Sequence, residues 1–157
     1  MKRASVYLGI IAACLTIGAT AVYAANVHFK GEPRITDEGM TLSFCAALAG
    51  LGNQDLTIRV TVEGMASANC FNKGGNMAPG QNKVPVVSTV TRTISRREIK
   101  NGNVSFCVST PPPGRVSARA AGCPNNNWQA RIIDVEFESA TITVVQGGRV
   151  VLEDTFE

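Results

Sequence analysis

Few residue types in this chain could do chemistry, and their spacing limits what that chemistry is. The whole sequence holds one histidine, His28. A lone imidazole cannot supply a multi-histidine metal centre, and a Ser-His-Asp triad would have to be built on His28 itself. No Gly-x-Ser-x-Gly elbow accompanies it, so His28 reads as a polar strand residue near the start of the folded part. Asp134, Glu136 and Glu138 recur at every second position. On one face of a strand neighbouring carboxylates would stand roughly 7 Å apart, a spacing that suits glycoside hydrolysis or calcium binding; a solvated strand face is the simpler reading. Gly75 and Gly80 have the separation of a phosphate loop, but Gln81 follows where lysine is required. Gly50-Leu51-Gly52 lacks the third glycine of a dinucleotide fingerprint. No cofactor and no metal site is expected.

Two polar stretches are more informative. Asn72 and Asn76 are followed by Gln81 and Asn82 in one, and Asn125, Asn126, Asn127 and Trp128 form the other. Amides offer paired donors and acceptors, and an indole covers an apolar sugar face, so these eight residues are the candidate binding set for a carbohydrate. The plainer alternative is that the asparagines shape their own turns and Trp128 packs inward.

Each stretch begins at or beside a cysteine. Cys45 and Cys107 lie in the middle of alternating runs and in the same phase, whereas Cys70 and Cys123 border the amide loops. Pairing like with like predicts Cys45–Cys107 between strands and Cys70–Cys123 between loops. The gaps are wide and no Cys-x-x-Cys occurs, which disfavours zinc or a redox dithiol. Four cysteines in an exported chain form disulfides.

Export itself is read from the first 24 residues. Met1-Lys2-Arg3 is followed by an apolar stretch, and Val22-Tyr23-Ala24 predicts signal cleavage before Ala25. The expected location is secreted or periplasmic, with no membrane association after cleavage. Two other readings are an uncleaved anchor over Ala4–Ala25 and a lipoprotein attached through Cys14. Removing Lys2 and Arg3 leaves 13 basic against 12 acidic residues. A net charge of +1 is no electrostatic footprint for nucleic acid. The charge is unevenly placed, however. Arg92, Arg96, Arg97, Lys100, Arg115 and Arg119 fall in one segment, and Asp134, Glu136, Glu138, Glu153, Asp154 and Glu157 in another. The two segments either neutralise each other within the fold or drive head-to-tail self-association.

The elements that must position these residues are strands. Hydrophobic residues at 45% and charged residues at 17% describe a globular chain. Its periodicity is two almost throughout. Val27 and Phe29 alternate with His28; Met40, Leu42 and Phe44 with Thr41, Ser43 and Cys45; Leu56, Ile58, Val60 and Val62 with Thr57, Arg59, Thr61 and Glu63. Phe71 to Pro85 reads as the longest irregular stretch, and Val86 to Ser95 as strand. Asn101-Gly102 is a tight-turn signal before Val104, Phe106 and Val108. Ile133, Val135 and Phe137 are expected on one face of a strand from Trp128 to Phe137. A last hairpin runs from Ala140 to Phe156 around Gln146-Gly147-Gly148. About eight strands without a linker predict an all-β fold, one antiparallel, immunoglobulin-like β-sandwich over residues 25–157 with two disulfides.

Gly50-Leu51-Gly52-Asn53, Pro79-Gly80-Gln81-Asn82, Asn101-Gly102-Asn103-Val104, Cys123-Pro124-Asn-x-x-Trp128 and Asp134-Val135-x-Phe137-x-Ser139-Ala140-Thr141-Ile142 resemble a family of small exported bacterial proteins of unknown function. The resemblance covers most of the chain beyond the leader. It implies a shared compact fold and carries over no catalytic or binding residue. The functional expectation is therefore a non-enzymatic exported binding or cell-surface module whose partner is a carbohydrate or another envelope or extracellular protein. A self-assembling structural subunit and a carboxylate hydrolase are the alternatives.

Overall fold

The computed structural model describes residues 26–157; the predicted leader, including Cys14 and the cleavage site, lies outside them. Nine strands run through the described residues: β1 (His28–Phe29), β2 (Arg34–Asp37), β3 (Leu42–Ala49), β4 (Leu56–Phe71), β5 (Met77–Pro79), β6 (Val84–Ile94), β7 (Val104–Ser109), β8 (Gln129–Gln146) and β9 (Arg149–Phe156). They form two antiparallel sheets. In sheet A, β3 pairs with β7 on one side and with β1 and β2 on the other. In sheet B, β4 pairs with β8 on one side and with β5 and β6 on the other, and β9 adds to β8. This is the all-β sandwich that the alternation predicts. Its immunoglobulin-like character lies in the layering, since neither disulfide crosses between the sheets.

The core is what period two requires. Leu42, Phe44 and Leu48 of β3 and Val104, Phe106 and Val108 of β7 face Leu56, Ile58, Val60 and Val62 of β4 and Ala140, Ile142 and Val144 of β8. Phe44 packs against both Phe106 and Phe156. Burying such side chains contributes about 1.5–3 kcal/mol each before conformational entropy is counted. The opposite face of sheet B is wet and rich in threonine, with hydroxyl pairs Thr61–Thr89 and Thr141–Thr155 at 3.0 and 2.9 Å.

Several sequence expectations change in detail. The strands expected from Trp128 to Phe137 and from Ala140 onward are one continuous β8, because β4 is long enough to pair with both. Register shifts at Glu63/Gly64 and Ser67/Ala68 leave Glu138 and Ile133 as extra residues on β8. A bulge advances the chain by one residue and reverses its phase, so Ile133 is 55% exposed instead of sharing the inner face with Val135 and Phe137. Gly64 permits the first shift, since a Cβ there would lie 2.5 Å from the Glu136 carbonyl oxygen. Finally, the stretch from Phe71 to Pro85 is not structureless: β5 folds back on the end of β4.

Both tight turns form as expected. Asn101 and Gly102 take φ of 50° and 74°, and Gly147 and Gly148 take 60° and 76°. Two successive left-handed residues are what a two-residue hairpin of matching twist requires. Gln146, read as part of the second turn, is instead a buried strand end. Its Oε1 accepts from the Gly52 N–H, and its Nε2 donates to the Gly52 and Gln54 carbonyls.

Candidate functional site

The Cys70–Cys123 disulfide forms, and it does bring the two amide stretches to one end of the sandwich. There β4 and the start of β8 extend beyond the main core over a small second cluster of Ala68, Val84 and Ala121. A turn from Ser117 to Cys123 closes this end. It is held by Ala121 N–H to Ser117 O and Cys123 N–H to Ala118 O, with the Ser117 hydroxyl accepting from Ala120 N–H. Asn82 ties that turn to β6: its backbone N–H donates to Ala121 O and its Nδ2 to Ala120 O.

The amides are largely spent on the chain itself. Asn72 Oδ1 accepts from Asn76 N–H at 2.9 Å, and Asn125 Oδ1 from Asn127 N–H at 3.0 Å. Gln81 Nε2 donates to Pro79 O. Such local bonds are the reason these residues favour turns. Gln81 and Asn82 come together over Gly122, where a Cβ would lie 3.0 Å from the Asn82 side chain. Asn72 and Asn76 form a separate turn, and Asn126 stands exposed at the tip of its loop.

Trp128 faces elsewhere. It is half-buried and lies outside both apolar clusters. It lines a cleft of about 670 Å³ between the Pro113–Ala118 segment and the first residues of β8, with Arg115, Gln129, Arg131 and Met40 also in the lining. None of the seven candidate amides lines it. Pro111-Pro112-Pro113-Gly114 forms no strand, and Pro113 and Gly114 line the cleft opposite the start of β8. Met40 reaches the cleft from the turn after β2, which docks on β8 through Val135 N–H to Gly39 O.

Two arginines are among the lining residues of the cleft. The guanidinium carbon of Arg131 lies 4.7 Å from the Phe71 ring centroid, a cation–π contact. Arg115 is exposed on the facing segment. No carboxylate stands among the described lining residues. Sequence reasoning singled out Trp128, placed Arg115 only in the basic segment and missed Arg131. The available signal was their position on either side of Trp128 in sequence.

The candidate carboxylates are arranged differently from a regular face. Glu136 pairs with Lys83, whose ammonium donates to it and, with its charge, holds the carboxyl below its ordinary range. Glu138 falls at the bulge. Among the described residues no group of three or more His, Cys, Asp or Glu could hold a metal ion. The other disulfide, Cys45–Cys107, joins directly opposed residues of β3 and β7, as expected from their common phase. Two disulfides fit an oxidising, non-cytoplasmic compartment. No helix among the described residues is long and apolar enough to cross a membrane. No family model matches this chain, and no curated protein matches it either.

Proposed function

We propose that the chain is an exported, non-enzymatic binding module, secreted or periplasmic, whose ligand lies across Trp128 in the cleft beside the Cys70–Cys123 disulfide. The observation that carries this reading is a half-buried tryptophan on the wall of a ligand-sized cleft whose lining also includes two arginines. An aromatic face covers the apolar side of a sugar ring, and planar guanidinium groups take a carboxylate or sulfate edge-on. The favoured ligand is therefore a saccharide bearing an acidic group, not the neutral sugar that the amide loops suggest by themselves. The amides shape and brace the loops around the cleft.

The test is fluorescence titration with galacturonic acid oligomers. Trp128 is the only tryptophan, so every emission change reports this site. Binding should quench or blue-shift the emission, and Arg115→Gln with Arg131→Gln should remove the response while leaving the fold intact. An unchanged spectrum with acidic and neutral oligosaccharides alike would discard the proposal.

A further inference from the structure

We infer that the outer face of sheet A is a second binding surface, a groove for an extended anionic polysaccharide. A concavity of about 480 Å³ over β2, β3 and β7 adjoins another of about 240 Å³, and the two share Lys30, Ala47 and Ser105. Together they follow β3. The floor is low because the outward residues of the paired strands are small: Cys45 is bonded to Cys107, and Ala47 stands opposite Ser105. Long cationic side chains rise at both sides. Lys30 and Arg34 belong to the β1–β2 side, and Arg92 and Lys100 flank β7. Two strand spacings, roughly 10 Å, separate β2 from β7, which is room for one extended chain over β3.

The cations are available. Arg92 donates from Nη1 to Cys107 O at 3.0 Å, which fixes the side chain and leaves its other donors open. Lys30, Arg34 and Lys100 form no ion pair among the described residues. Glu32 and Glu98 also line the groove, but Glu98 caps the Ser95 N–H, and four cations outnumber two carboxylates. The charge complement is a polyanion.

The floor decides which kind. Protein partners bind through desolvated aromatic or aliphatic anchors, and this floor offers none, since Phe106 is only 4% exposed. A hydrated polyanion needs only cations at intervals and gains from released counterions. The groove shares no lining residue with the Trp128 cleft and does not depend on that reading.

The experiment is titration with polygalacturonate, with poly-glutamate and neutral dextran for comparison, in the Arg115→Gln, Arg131→Gln background so that the cleft contributes no binding. Four contacts should make the affinity fall roughly 50-fold between about 50 and 200 mM salt. Arg34→Gln with Arg92→Gln should lower affinity at least about tenfold and halve the logarithmic salt slope. Lys30→Gln with Lys100→Gln, whose side chains make no hydrogen bond in the fold, should do the same and separates charge from any loss of the Arg92 anchor. Made without the cleft substitutions, both variants should keep the Trp128 response of the native protein to galacturonic acid oligomers. No binding of polygalacturonate at low salt, equal binding with and without the groove substitutions, or equal affinity for poly-glutamate would overturn the inference. Loss of the Trp128 response alone would strike the cleft and leave the groove standing.

Discussion

Trp128 separates binding from folding at the level of one side chain. A buried aromatic cut to alanine costs about 3–5 kcal/mol of stability, whereas Trp128 is half-buried and outside both cores. Trp128→Ala should therefore lower stability by only about 1–2 kcal/mol while weakening an acidic oligosaccharide by about 1–3 kcal/mol. Paired melting and binding measurements check this. A melting loss of core size without a binding loss would make the indole a packing residue. Gln146 is the opposite case, a buried side chain with three backbone partners. Gln146→Leu strands those groups and should cost about 2–4 kcal/mol, read from denaturant midpoints. Glu136 carries the pH signature. Lys83 depresses its folded pKa, so its contribution is present above the unfolded carboxylate value and is lost as pH falls through the folded one. In Lys83→Met the Glu136 carboxyl should return toward its ordinary titration, followed by NMR, with little change in neutral-pH stability because the pair is exposed.

Among the elements, the long β4–β8 ladder and the two disulfides have separable tasks. Gly64→Ala would press a methyl onto the Glu136 carbonyl and push β8 off β4, so unfolding should come several degrees earlier in a thermal scan. Sequence separations of 62 and 53 give each disulfide about 4 kcal/mol in the chain-entropy model. Their effects on Trp128 should differ. Replacing Cys70 and Cys123 by alanine frees the loop end and should shift Trp128 emission toward that of water. Replacing Cys45 and Cys107 should lower the melting temperature and leave the emission unchanged. Identical spectra for the two variants would mean the loop disulfide does not shape the cleft.

For the whole molecule, the uneven charge matters. No cation of the 92–119 segment forms an ion pair with an acid of the 132–157 segment among the described residues. Internal neutralisation by direct pairs is thus not how the fold uses them, and head-to-tail association becomes the competing reading to a binding module. Light scattering over a salt series discriminates. A binding module keeps a monomer's mass at every salt concentration, whereas an assembling subunit grows at low salt and falls back at high salt.

Much of this architecture was legible in the chain. Alternation around Leu56–Val62 and Val104–Val108 dictated strands with one buried face, since only a period of two can segregate those side chains. Asn101-Gly102 and Gly147-Gly148 dictated their turns through the left-handed backbone that only such residues adopt cheaply. The common phase of Cys45 and Cys107 named their bond. Other features came only from long-range contact. The bulges at Ile133 and Glu138 arise from pairing with a partner more than 60 residues away, where Gly64 makes room, and no local pattern encodes that register. The same holds for Trp128. Three asparagines precede it in sequence and none of them lines its cleft, whose other wall is made by Pro113 and Arg115 from another segment. Local periodicity fixes which face of a strand is apolar; which side chains converge on one site is decided by how distant segments pack, and that is a property of the tertiary structure alone.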